Sequence, residues 1–288
     1  MLEATASILF DGLAYAMVLF IISVGLSVTM GLMHVINLAH GAFAMAGGYA
    51  LVAATTLLGL PFLAGLAAAF VVVAALSMVL ERLIYVRLYQ AAELDQVTAS
   101  IGLIMIASAA AVLICGPSPQ TVPLPDMLTG RLDIGFRKVP AYRAAIILVG
   151  VVLFLLLWLG IERTRLGARI RAAVDNRHMA ASLGLDVRSL FTLVFGIGSG
   201  LSALGGGLAI EIVGLGPNFA TQYLVLFLIV VAVGGLGSVR GTFLAALLLG
   251  ICDTAGKYLF PQGGSFFIYV LTVALLMWRP AGLLGWAR

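Results

Sequence analysis

Nine apolar runs follow one another along the chain, near 8–32, 41–58, 62–80, 98–115, 141–161, 190–212, 222–237, 240–258 and 265–278. A run of roughly 20 apolar residues is long enough to cross the hydrocarbon core of a bilayer as a helix. In hydrocarbon each segment must satisfy its own backbone hydrogen bonds, which leaves helices or closed barrels, and barrel strands are only about half as long. The expectation is an all-α polytopic membrane protein with about nine transmembrane helices, one domain over residues 1–288. Eight is the competing count, because Gly59-Leu60-Pro61 and the stretch from Gly234 to Gly241 read equally as loops between spans or as breaks inside one. Composition agrees: 62% of residues are hydrophobic and 10% charged, unlike a soluble domain. The first run follows Glu3 and Asp11 instead of a basic leader, so it reads as a retained span and not as a signal peptide.

The few charges are unevenly placed. Six arginines fall between Glu162 and Arg188, and Arg82, Arg87, Arg240, Arg279 and Arg288 sit at ends of apolar runs. Basic residues are retained on the cytoplasmic side of short loops, so all of these are expected inside. Counting nine spans back from there puts the N-terminus outside and the C-terminus inside. The 116–140 loop then becomes periplasmic despite Arg131, Arg137 and Lys138, and 162–188 becomes a cytoplasmic loop. Four spans precede the outer loop, one crosses, and four follow the arginine segment. The two four-helix groups would have opposite topology, as inverted repeats in transporters do. That inference rests on helix counting, since no sequence repeat joins them. The net charge of +4 is accounted for by cytoplasmic helix ends and calls for lipid, not nucleic acid, as a partner.

Polar residues inside the runs are scarce, and each is a functional candidate because charge is costly in hydrocarbon. Asn37, His40 and Gly41, with His34, interrupt the first two runs; the structural reading is a helix break whose side chains cap the adjoining ends. Gly234, Gly235, Gly237 and Ser238 form a second break, and both are pathway or helix-break candidates. Asp253 and Lys257 stand four apart and read as an interfacial ion pair. Gly196, Gly198, Gly200, Gly205, Gly206 and Gly207 let helix backbones approach closely, or else line a pathway. Cys115 and Cys252 are too few and too embedded for a disulfide framework or a metal site. No metal and no catalytic residue is expected.

The segment GLMHVINLAHGAFAMAGGYA, from Gly31 to Ala50, resembles the N-terminal signature of permease subunits of branched-chain amino acid (Liv-type) ABC importers. The likeness continues in order through Glu81-Arg82 with Arg87, Thr98 to Gly102, Arg165-Leu166-Gly167 leading to Arg171-Ala172, Gly234 to Ser238, and Arg279 to Leu283. Length and the histidine-containing signature resemble the LivH-like subunit. The resemblance implies a type II ABC importer-like permease with one fewer N-terminal helix than the vitamin B12 permeases. Its partners would be a second, LivM-like permease, two ABC ATPase subunits and a periplasmic substrate-binding protein, in the bacterial inner membrane. The cargo would be a branched-chain or related amino acid. ATP and magnesium would be used by the partner ATPases, and the sequence holds no GxxxxGK[ST] loop to cradle a nucleotide.

The same resemblance assigns ATPase coupling to Arg165, Arg169, Arg171, Ala172, Ala173, Asn176, Arg177, Ala180, Ala181 and Gly184. Residues 169–184 read as one short helix stopped by Gly184. Helical spacing gathers Ala173, Arg177, Ala180 and Gly184 on one face, small enough to enter an ATPase cleft. His178 stands where importers of this kind commonly carry an acid. A cationic helix on anionic lipid is the bland alternative. Two other function classes are a stand-alone secondary transporter or channel, which needs its own coupling or selectivity site, and an intramembrane serine protease using Ser199, which needs a base within reach.

Overall fold

The computed structural model describes residues 2–33, 37–89, 91–133 and 138–285; His34, Arg137 and Arg288 lie outside the described residues. Each of the nine apolar runs corresponds to a helix, three of them overrunning it by one to three residues: α1 (Leu2–Met33), α2 (His40–Thr56), α3 (Phe62–Leu80), α5 (Glu93–Cys115), α7 (Ala141–Arg163), α10 (Val187–Val213), α11 (Phe219–Gly234), α12 (Val239–Leu259) and α13 (Phe266–Trp278). Six of them, taking α3 through its extension to Leu88, are long and apolar enough to cross a membrane. The helices α2, α11 and α13 are shorter, at 17, 16 and 13 residues.

Antiparallel α1 and α10 form the axis of the bundle, Gly25 meeting the backbone of Gly198 while Ile22 meets Ser202 and Gly205 further along. The Ser202 hydroxyl donates to the Ile22 carbonyl at 2.9 Å, which satisfies a buried hydroxyl in the low-dielectric interior. Helix α12 runs antiparallel along α1, with Phe20 and Phe243 edge to face at 5.2 Å and Gly250 against Ala16. In the same way α3 runs antiparallel along α10, where Met78 and Phe70 fill the space over Gly196 and Gly200. The six α10 glycines are all buried in these contacts. A Cβ on Gly206 would collide with the Ala44 carbonyl of α2. All six are packing positions: Gly198, Gly205 and Gly206 lie against neighbouring backbone, and Gly196, Gly200 and Gly207 against side chains.

Around this axis the outer helices turn apolar side chains outward. Leu113 of α5, Leu156 of α7 and Met277 of α13 are exposed, as surfaces that face lipid or another membrane subunit must be. The 116–140 stretch departs from an all-α reading. It contains a four-residue helix, α6 (Asp126–Thr129), and a small antiparallel ribbon pairing β1 (Arg131–Asp133) with β2 (Lys138–Pro140).

Three further features set the candidate site. Helix α3 continues into a π-helical turn, Glu81–Tyr85, before one last turn, α4 (Val86–Leu88). Helices α2 and α11 begin inside the bundle, where Gly41 packs against the Ala220 backbone. Between Arg163 and Val187 lie α8 (Arg165–Asp175) and α9 (Arg177–Ser182).

Candidate functional site

The arginine segment is two helices, not the single one expected over 169–184. Asn176 adopts an extended backbone (φ −149°, ψ 99°), closing α8, and its side chain accepts a hydrogen bond from Met179 N at 2.9 Å to cap α9. A short side chain that captures a free helix N–H competes with helix continuation. Gly184 ends α9 with φ +83°, the left-handed stop its position predicts. At the other end Thr164 caps α8 by accepting from Gly167 N at 3.1 Å, Gly167 presses on the carbonyls of the last turn of α7, and Arg171 donates to the Ile161 carbonyl. The segment is thus fixed to α7 with almost no slack.

Arg165, Arg169, Arg171, Ala172, Asn176, Arg177, Ala181 and Gly184 are all exposed. Ala173 and Ala180 are not: each is 2% exposed, packed with Val187 and Phe191 against the chain's own bundle. The small-residue face therefore seats the segment on this chain and is not open to a partner. Its exposed large apolar residues are Leu166 (39%), Met179 (59%) and Leu183 (77%), the last two four apart beside Gly184; their i, i+4 spacing was the available signal for a contact face. Arg177 lies over the Phe191 ring at 5.2 Å. Asp186 caps α10 by accepting from Ser189 N at 3.1 Å, and its bonds to Ser189 hold the carboxyl below its usual range.

Within the stretch from Gly234 to Gly241, residues 235–238 separate α11 from α12. Gly235 and Gly237 take φ of +94° and +78°, conformations that side chains avoid. Gly237 N donates to Ser27 O of α1 at 3.1 Å, Ser238 Oγ accepts from Gly241 N to cap α12, and Leu283 N donates to Val233 O. One turn on, Arg240 reaches α7: it pairs with Glu162 at 2.6 Å and lies over Trp158 at 4.9 Å. The break, α1, α12 and the stem of the arginine segment therefore meet in one place.

Neither Asn37 nor His40 caps α2, whose N-cap is Ala39 with no side-chain hydrogen bond. Both are turned inward. The Tyr85 hydroxyl donates to Asn37 Oδ1 at 2.8 Å, while among the described residues Asn37 Nδ2 and both His40 ring nitrogens meet no partner. His40 fills the gap beside Gly25, edge to face with Phe43 at 6.1 Å. Among the described residues Ser199 Oγ also lacks a partner, so none of them pairs it with a histidine for nucleophilic attack. Asp253 and Lys257 pair at 2.6 Å as their spacing predicts, with Lys257 over Tyr15 at 5.5 Å. Among the described residues no group of His, Cys, Asp and Glu is arranged to hold a metal.

The family described as branched-chain amino acid transport system / permease component matches residues 8–276. The chain belongs to this family. It is 29% identical over 231 residues to the high-affinity branched-chain amino acid transport system permease protein BraD of Pseudomonas aeruginosa, covering 77% of this chain and 74% of that one. To the corresponding LivH protein of Escherichia coli K12 it is 25% identical over 229 residues, with the same coverage. Among solved structures it is similar to PsaBC from Streptococcus pneumoniae, at 18% identity and a TM-score of 0.45 over 96% of this chain and 88% of that one.

For a permease component, one group escaped the reading of the sequence. Glu81 is fully buried at the π-turn and accepts hydrogen bonds from Thr192 Oγ1 at 2.8 Å and from the Tyr89 hydroxyl. In the sequence it was visible only as part of a family signature.

Proposed function

We propose that this permease component forms half of the translocation pathway of an ATP-driven importer for branched-chain or related amino acids. Its partners in this reading are a second, LivM-like permease, two ABC ATPases that use ATP and magnesium, and a periplasmic binding protein that delivers the cargo. The observation that carries the reading is the arginine segment. A cluster of exposed cations around Met179 and Leu183, fixed without slack to α7, is built to be pushed from outside the bundle. Arg165, Arg169, Arg171, Ala172, Asn176, Arg177, Ala181 and Gly184 form the docking face, and Ala173 and Ala180 anchor it from beneath.

The topology that accompanies this function has nine spans, the N-terminus and the 116–140 loop in the periplasm, and 162–188 and the C-terminus in the cytosol. Two inverted four-helix groups, α1 to α5 and α10 to α13, are supported by matched packing. The α1 and α10 axis is antiparallel, α12 lies along α1 as α3 lies along α10, and α2 and α11 are both short and begin inside the bundle. Motion of the docking face would pass through α7, Glu162 and Arg240 to the break at Gly234–Ser238, alternately opening the path to either side.

Purification from native membranes tests this reading. ATPase subunits should accompany the chain, and uptake of leucine-like amino acids should stop when ATP is exhausted. A stand-alone carrier would come alone and transport without ATP.

A further inference from the structure

A buried carboxylate in a membrane bundle is costly unless it is paired or richly hydrogen bonded. Glu81 is 0% exposed, and among the described residues no cation lies within ion-pair distance of it. Its two oxygens are instead held by two hydroxyls, Thr192 from the base of α10 and Tyr89 from just beyond α4. It also opens the π-turn of the α3 arm, a helix defect that is rare and concentrates where helices do work. A π-turn carries an extra residue, so tightening it to α geometry would rotate α4 and Tyr89 about α3. The same turn ends on Tyr85, whose hydroxyl holds Asn37 at the junction of α1 and α2. On the other side the neighbour of Thr192 is Phe191, whose ring carries the Arg177 guanidinium at 5.2 Å. One carboxylate therefore joins the arginine segment, the foot of α10, the π-turn and the α1–α2 junction.

From this juxtaposition we infer that Glu81 is a positioning residue for ATP-coupled transport. Displacement of Arg177 by a docked partner reaches the membrane helices through Phe191 and Thr192 to Glu81 and the π-turn. The inference rests on the ATP-driven reading above. The alternative role of Glu81 is purely structural, holding α3 on α10.

The two roles separate in the intact complex reconstituted into liposomes, with amino-acid uptake and ATP hydrolysis measured on the same preparation. Thr192→Val removes the hydroxyl at nearly constant shape, and Thr192→Ser restores it. Glu81→Gln keeps the volume and removes the charge. The expected result is that Thr192→Val and Glu81→Gln leave the complex assembled and hydrolysing ATP but lower uptake per ATP by at least about fivefold, the lower end of ordinary coupling energies. Thr192→Ser should recover most of that ratio. The double variant Glu81→Gln with Thr192→Val should lose no more than the worse single change, because both cut one connection. An unchanged ratio in Thr192→Val overturns the inference even if Glu81→Gln fails to assemble, and so does a Thr192→Ser chain as defective as Thr192→Val. Uptake that ignores ATP in the unaltered complex would instead overturn the transport reading on which the inference stands.

Discussion

The glycine-lined contact between α1, α2 and α10 and the arginine segment between α7 and α10 are both rich in small residues, yet they use them in opposite ways. In the first, removal of side chains brings backbones together: Gly25 meets Gly198, and Gly206 meets Ala44. With no hydrophobic gain on leaving lipid for protein, such close contact is what holds membrane helices. In the second, small residues fill only the underside, where Ala173 and Ala180 seat the segment, and the opposite face is left charged with Met179 and Leu183 in its midst. Substitution should cost structure in one region and function in the other.

The largest effect is expected at Gly206. A Cβ there meets a backbone oxygen that cannot swing away, so Gly206→Leu should destabilise the detergent-solubilised protein by at least about 1–3 kcal/mol. Gly102 of α5, with nothing within 4 Å of its virtual Cβ, is the control: Gly102→Ala should leave thermal unfolding unchanged or slightly raised. Similar losses at the two glycines would break the comparison.

The complementary change is Leu183→Asp. This side chain touches little of its own chain, so folding should be unaffected, while ATP-dependent uptake in reconstituted complexes should fall by about tenfold, as for loss of an interface anchor worth about 1.4 kcal/mol. A bulky change at Ala180 is a poorer probe, because it would disturb the segment's seat before it reached a partner.

The smallest effect concerns pH. The Asp186 carboxyl has a lowered pKa because it is hydrogen bonded to Ser189. A depressed folded value means that the cap stabilises α10 above the unfolded carboxyl value and is lost as pH falls through the folded one. Amide exchange in the first turn of α10 should therefore quicken only below about pH 4. Asp186→Asn, itself a good cap, should remove that dependence.

Much of this was legible in the sequence. All nine apolar runs became helices, because run length in hydrocarbon leaves little choice. Gly184 stopped its helix, the α10 glycines packed, and the glycines after Gly234 ended α11. The division at Asn176 was not legible, since an asparagine inside a helical pattern can cap a new helix or ride along the old one, and the Met179 amide decides it. The buried side of the arginine segment was misread because Val187 and Phe191, which cover Ala173 and Ala180, belong to the next helix. The role of Glu81 was hidden for the same reason: Thr192, its partner, lies 111 residues away.

The central claim is that the arginine segment faces the cytosol and is covered there by a partner. Cysteine labelling measures this most directly, using Leu183→Cys in a chain whose Cys115 and Cys252 are replaced by alanine. With a membrane-impermeant maleimide the account predicts no reaction in intact cells, ready reaction in inside-out vesicles stripped of peripheral subunits, and protection in vesicles that retain them. Labelling from outside intact cells, or equal labelling with and without the peripheral subunits, would contradict it.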